Sequence, residues 1–243
     1  MLDDADLIKL ARLNTPTVYN GWEQITGQDA ARDGFNLRET RDFMPHLGSV
    51  VGYAVTVVCE PSRQEHKTNN PTAPGDYLQY VAGAPGPKVV VVQDLDMPNP
   101  VGSYWGEVGA TMHRALGCVG TITDGAVRDV AEMTALGFHA IAARTCVGHA
   151  HSTPVRWNCP VEVFGRTVEP GRLIHADRHG FLVIPPEDEA ALLDAALFMD
   201  HNECTTVLAA ARHFAGLAPD AILTRLAAAR RAFRHAVEEK FGR

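Results

Sequence analysis

The spacing of apolar residues changes period several times along the chain, and each change marks an element. Lys88–Gln93 (KVVVVQ) is an unbroken β-branched run, as expected of a strand buried on both faces. Val108, Met112, Ala115 and Leu116 then fall at helical spacing, and Gly117 is placed to end that helix. Cys118–Thr123 is again short and largely apolar. Asp124-Gly125 has turn chemistry, and Val127–Leu136 returns to helical spacing until Gly137 stops it. His139–Ala143 closes the series. The predicted order, β-α-β-α-β, implies neighbouring parallel strands joined by right-handed crossovers.

The flanking segments read more simply. Asp3 or Asp4 is placed to cap a first helix through Ala11, and Thr15-Pro16-Thr17 opens a second with proline at its start. Leu37–Pro45 is polar and irregular, whereas Ser49–Cys59 is a strong strand signal. Glu60–Pro87 is hydrophilic and rich in Pro and Gly, a long loop around a helix-like Asp76–Val81; loops of this length often carry function. Beyond Arg144 come short strands at Val161–Phe164, Thr167-Val168, Leu173–Ala176 and Phe181–Ile184. They suggest hairpins forming a second, partly antiparallel sheet against the first. After Pro185-Pro186 the pattern is helical to the end. Without repeats or a linker, the expectation is one domain over 1–243, with 187–243 a helical extension.

Composition narrows the function classes. Of 243 residues, 46% are hydrophobic and 21% charged, so the chain is globular and long enough to bury a real core. A net charge of −7 argues against nucleic acid as a partner. The basic cluster Arg225, Arg230, Arg231 and Arg234 is interleaved with Ala and Phe233 and reads as a solvated helix face. Five cysteines with no C-x-x-C pair fit reduced thiols in a cytoplasmic protein. No signal peptide is evident, and no apolar run reaches the roughly 18 residues of a membrane span.

The chemistry concentrates at two predicted helix starts. Glu107 opens the first helix of the central series and Arg128-Asp129 opens the second. Both follow the carboxyl ends of strands, where open α/β sheets bind ligands. Two carboxylates suit a hard divalent cation, while a guanidinium and free helix N–H groups suit a substrate carboxylate. The same residues also satisfy ordinary helix capping, so the residues alone leave both readings open. Gly102-Ser103-Tyr104-Trp105-Gly106 is not a nucleophile elbow, and Gly117, Gly120 and Gly125 match neither a phosphate loop nor a dinucleotide fingerprint.

Glu107, twenty residues, then Arg128-Asp129, set within GE…A…GCVGTITDGAVRD…ALGF, closely resembles the RraA-like family. Within it the chain is similar to the metal-dependent branch of 4-hydroxy-4-methyl-2-oxoglutarate aldolases and oxaloacetate decarboxylases. The likeness extends from Leu13-Asn-Thr-Pro-Thr-Val to Pro170-Gly-Arg-Leu-Ile-His-Ala-Asp-Arg-His-Gly and Val183-Ile-Pro. It implies a swivelling β/β/α layered fold with trimers or hexamers that share active sites between subunits. It also implies a carbon–carbon lyase acting on a small 2-oxo acid with Mg²⁺ or Mn²⁺. Asp129 would ligate the metal, Glu107 would hold metal-bound water, and Arg128 would fix the substrate. The amides of Gly106, Glu107, Val108 and Gly109 would cradle its pyruvate portion. A glutamate from a neighbouring subunit would complete the metal site, and Glu203 is the nearest match. The Glu60–Pro87 region would close over the substrate. One departure is Asn20, where the family usually has an acid. Other readings are a non-catalytic RraA-like regulatory binding protein, since regulatory members lack the complete acidic pair, or a different metal-dependent lyase or hydrolase on the same site.

The remaining residues bear on the mechanism. Breaking the bond between C3 and C4 of a 2-oxo acid leaves pyruvate enolate, whose charge needs a divalent Lewis acid or a lysine Schiff base. Of Lys9, Lys67, Lys88 and Lys240, only Lys67 is conceivable: Lys88 lies at the amino end of its strand and the other two lie in terminal helices. His66, His149, His151 and Trp157 are candidates to shape the pocket for the distal half of the substrate. His175, Asp177 and His179 alternate as strand neighbours would, but Asp177–Gly180 reads as a hairpin turn that breaks a zinc alignment.

Overall fold

A computed structural model describes residues 1–242. The strands are β1 (Arg41–Asp42), β2 (Val50–Cys59), β3 (Lys88–Asp94), β4 (Ser103–Trp105), β5 (Cys118–Val127), β6 (His139–Thr145), β7 (Pro154–Trp157), β8 (Val161–Val163), β9 (Arg166–Val168), β10 (Leu173–Asp177) and β11 (Gly180–Ile184). The helices are α1 (Asp4–Leu10), α2 (Thr15–Ile25), α3 (Glu65–Asn69), α4 (Ala73–Gly83), α5 (Glu107–Ala115), α6 (Val130–Ala135), α7 (Glu189–Glu203), α8 (Ala209–Arg212) and α9 (Pro219–Phe241). Cys204–Leu208 forms a π-helical stretch between α7 and α8.

Local chemistry explains the element ends. The Asp3 carboxylate accepts the Asp6 N–H to cap α1, and the Asn14 side chain accepts the Thr17 N–H to cap α2, with Pro16 in its first turn. Gly117 and Gly137 take positive φ just past α5 and α6.

A nine-stranded sheet organises the chain in the order β1-β6-β5-β3-β2-β10-β11, with β4 on β5 and β7 on β2. The pairs β2–β3, β3–β5 and β5–β6 are parallel, as the β-α-β-α-β pattern requires. β2 is buried along all of its length and β3 at every position but Gln93. One face packs Val55, Val57, Val90, Val92, Trp105 and Phe138 against the helices that follow β2, β3 and β5. The other face packs Val89, Val91, Ile122 and Ile141 beneath Val161, Val163, Phe164 and Val168 of the two-stranded β8–β9 hairpin. A third core joins Leu10, Val18, Trp22 and Leu192 of α1, α2 and α7 to Tyr53, Leu173, Leu182 and Ile184 of the sheet.

Four expectations need correction. Asp124-Gly125 does not turn the chain: β5 runs on to Val127, and the residues form a β-bulge. Between Thr123↔Ala142 and Ala126↔Arg144 the bulged strand advances three residues while β6 advances two. The following helix therefore begins at Val130, not Val127. The second sheet is only β8–β9, because the β10–β11 hairpin pairs with β2 and extends the main sheet. Finally, Glu60–Pro87 holds two helices, α3 and α4, and Leu37–Pro45 contains the short β1.

Candidate functional site at the carboxyl edge of the sheet

The β4 strand, too short to be read from sequence, assembles the site. It runs parallel to β5 with Ser103 opposite Ala126 and Trp105 opposite Val127, and the Arg128 N–H donates to the Trp105 carbonyl at 3.0 Å. The residues after the two strands, Gly106-Glu107 and Arg128-Asp129, are thereby brought side by side. The Glu107 N–H donates to Asp129 Oδ2 at 3.0 Å, and Arg128 Nε lies 3.7 Å from the same oxygen. Asp129 takes a left-handed backbone conformation (φ 52°) at the N-cap of α6, a conformation that Asp tolerates better than most residues. A Cβ on Gly106 would stand 2.6 Å from Asp129 Oδ2 and 3.0 Å from Arg128 Nε, so the cluster closes only around glycine.

The cluster faces water. The Arg128 and Asp129 side chains are 39% and 37% exposed, and Glu107 and Val108 are exposed. Asp129 does cap a helix, but it is α5, across the cluster, since Gly106 at the N-cap of α5 offers no side chain. Among the described residues, Asp129 Oδ1 and the Glu107 carboxylate make no hydrogen bond. An open carboxylate beside a guanidinium, with the Glu107 carboxylate exposed at the adjacent helix start, fits a cation that keeps most of its water, as Mg²⁺ and Mn²⁺ do. The arrangement does not fit a closed transition-metal site: no group of three or more His, Cys, Asp or Glu suited to a metal occurs among the described residues.

Glu203 stands elsewhere within the chain. It ends α7, and its Oε1 accepts the Asn20 Nδ2 donor at 2.9 Å across the α2–α7 layer. The amide at position 20 thus holds this glutamate in place. The rings of His175, His179, His149 and His66 are engaged in structure, whereas His151 is held only through its backbone N–H on the Pro61 carbonyl. His175 is buried, with Nδ1 2.9 Å from Thr15 Oγ1 and Nε2 3.0 Å from the Leu10 carbonyl. His179 folds back on Asp177 in the β10–β11 turn, His149 bonds the Ala150 carbonyl, and His66 Nε2 lies 2.6 Å from Glu60 Oε2. Lys67 is exposed on α3, so its amine keeps its water, and nothing there prepares a Schiff base.

Two features of this edge escaped the sequence reading. Asp94, at the end of β3, and Asp124, in the bulge, are both buried, and the Asp94 N–H donates to Asp124 Oδ1 at 2.9 Å. Burial pushes Asp94 up to about 7 and Asp124 up to about 6, the latter opposed by the Arg38 guanidinium 3.9 Å away. A Cβ on Gly125 would meet Asp94 Oδ2 at 2.6 Å, which is why glycine occupies the bulge. The second feature is a cavity of about 520 Å³ on the flank of α5, with Tyr77, Tyr104, Trp105 and His113 in its walls. Each of these residues is an unremarkable apolar or aromatic position when read along the chain.

Comparison with known proteins agrees with this architecture. The family model RraA-like (Aldolase/RraA) matches residues 15–183. A protein of Halalkalibacterium halodurans provisionally named 4-hydroxy-4-methyl-2-oxoglutarate aldolase is 30% identical over 172 residues, 68% of this chain and 74% of that one. Among solved structures, an uncharacterized protein from Pseudomonas syringae superposes with TM-score 0.70 at 20% identity, covering 95% of this chain and 94% of that one. Streptomyces coelicolor RraAS2, described as an unusual member of the RNase ES inhibitor RraA protein family, superposes with TM-score 0.65 at 23% identity, covering 84% of this chain and 95% of that one. Those two likenesses speak for the fold, and the matched family model speaks for descent: this chain belongs to the RraA-like family.

Proposed function

We propose that the protein is a divalent-metal-dependent carbon–carbon lyase acting on a small 2-oxo acid, of the pyruvate aldolase or 2-oxo acid decarboxylase type. The observation that carries this reading is the convergence of Glu107, Arg128 and Asp129 around one carboxylate oxygen at two adjacent helix starts. The aldolase-named relative, similar over two thirds of the chain, supports the same reaction class.

Asp129 and Glu107 would hold the metal, with water filling its remaining positions and Glu203 of a neighbouring subunit as a further candidate. When bound, Mg²⁺ or Mn²⁺ supplies Lewis-acid stabilisation of negative charge on the ketone oxygen of the substrate. The chain's own residues do the rest. Arg128 pairs with the substrate carboxylate and keeps the ketone oxygen in place. The free N–H groups of Val108 and Gly109 in the first turn of α5 point their positive ends at the same charge. As the bond between C3 and C4 of the 2-oxo acid breaks and its electrons move into the enolate, these donors meet charge that was absent in the ground state, which is the condition for lowering the barrier. The Glu107 carboxylate, exposed and without a hydrogen bond among the described residues, is placed to hold the water that gives or takes the proton.

The test is oxaloacetate decarboxylation with and without EDTA, for the wild type, Asp129→Ala and Arg128→Ala. The reading expects activity that EDTA removes, that Asp129→Ala abolishes and that Arg128→Ala cripples, with both variants folded. Activity indifferent to chelator and to both substitutions would overturn it. A regulatory binding protein would instead show no metal-dependent uptake of 2-oxo acid by calorimetry.

A further inference from the structure

We propose that the cavity on the flank of α5 is a binding site for an aromatic carboxylate, separate from the Glu107–Arg128–Asp129 cluster. Its volume of about 520 Å³ falls in the range of small-molecule sites. It lies between α3–α4, the first two turns of α5, β4 and Ser152–Pro154. Tyr77, Tyr104, Trp105, Pro74 and Met112 give it aromatic and apolar walls suited to a flat ring.

The polar groups of the lining settle the charge of the ligand. Ser152 Oγ is spent on the His149 carbonyl at 2.7 Å. His113 is spent at both nitrogens, with Nδ1 2.7 Å from the Gly109 carbonyl and Nε2 3.0 Å from Tyr77 Oη. Burial lowers the His113 pKa and so keeps the ring neutral. Nδ1 therefore donates to the carbonyl, and Nε2 accepts the Tyr77 hydroxyl proton. Three donors remain unspent. Lys67, on the rim, has no ion-pair partner among the described residues. Asn70 uses its Oδ1 to accept from Thr72 and leaves its Nδ2 free. Thr153, in the lining, has a hydroxyl with no hydrogen-bond partner among the described residues. No Asp or Glu lines the cavity. Unspent donors, one of them cationic, around an aromatic slot with no acid call for an anion carried on a ring.

The site is distinct from the Glu107, Arg128 and Asp129 side chains, although Gly109 borders both. Gly109, Met112 and His113 share one face of α5, whereas Glu107 lies about 200° around the helix from Gly109 at ~100° per residue. Binding there needs neither the metal nor Arg128, so the inference stands or falls independently of the proposed reaction.

The experiment titrates the full chain in EDTA by isothermal calorimetry with 3-phenylpropionate and indole-3-propionate, and with 3-phenylpropanol as the neutral comparison. Saturable binding of the carboxylates, weaker for the alcohol, is expected. Lys67→Met should weaken 3-phenylpropionate about three- to tenfold and leave the alcohol unchanged. Met112→Trp should fill the slot and remove both, and Arg128→Ala should leave both intact. No saturable heat with either carboxylate would overturn the proposal. So would binding that Lys67→Met leaves unchanged, or binding that Arg128→Ala removes. Should Met112→Trp fail to fold, the Lys67 and Arg128 arms still decide.

Discussion

Two pairs of acids stand at the same edge of the sheet and behave differently. Asp94 and Asp124 are buried, share a backbone-to-carboxylate bond, and have their pKa values raised to about 7 and about 6. Glu107 and Asp129 lie further along the chain, past the ends of β4 and β5, where water reaches them and a guanidinium neighbours one of them. The inner pair is costly to ionise and holds a bulge together. The outer pair can exchange water for a cation and a substrate at little desolvation cost. A one-residue insertion in β5 separates the two roles, because it turns Asp124 inward and delivers Arg128-Asp129 to the rim.

Substitutions can break that division. The largest effect is expected for Asp129→Asn. The amide keeps an acceptor for the Glu107 N–H and tolerates the left-handed backbone, but it gives up the charge. Metal-dependent turnover should fall about 10²–10³-fold or more with melting temperature nearly unchanged, as steady-state kinetics and calorimetry would read. Gly106→Ala comes next: its methyl would crowd Asp129 Oδ2 and Arg128 Nε, two exposed side chains that can shift. It should therefore lower kcat/KM about tenfold or more while stability holds. On the inner pair the readout reverses. Gly125→Ala meets buried Asp94 at 2.6 Å and should cost about 1–3 kcal/mol in chemical denaturation.

The smallest effect is on pH dependence. Both inner carboxyls sit above the 3.8 of an ordinary aspartate, so the folded chain binds more protons than the unfolded one between about pH 4 and 7. Their contribution to stability is present below that window and is lost as pH rises through about 6 and then about 7. Asp94→Asn, which still accepts the Asp96 N–H at Oδ1, should flatten the fall in melting temperature between about pH 5 and 8. An unchanged slope would show that the pair does not titrate there.

Much of the fold was legible because its signals are local. The β-branched run of β3, the caps at Asp3 and Asn14 and the stops at Gly117 and Gly137 each depend on neighbours in sequence. Where the reading failed, a distant partner decided. Asp-Gly is a strong turn signal, yet Asp124-Gly125 stays in the strand because β6 and β4 pair beyond it and Asp94 fills the space over Gly125. The β10–β11 hairpin was recognised, but only its pairing to β2 says which sheet it joins.

The candidate site divides along the same line. From the chain alone came the residues Glu107, Arg128 and Asp129 and their place at helix starts, since spacing and helix-end chemistry are written in order along the backbone. Tertiary structure decided that Asp129 caps the other helix, that Asn20 holds Glu203 and that a cavity opens on the far flank of α5. Each of these depends on contacts between segments remote in sequence, which pairing and packing create and no local pattern encodes.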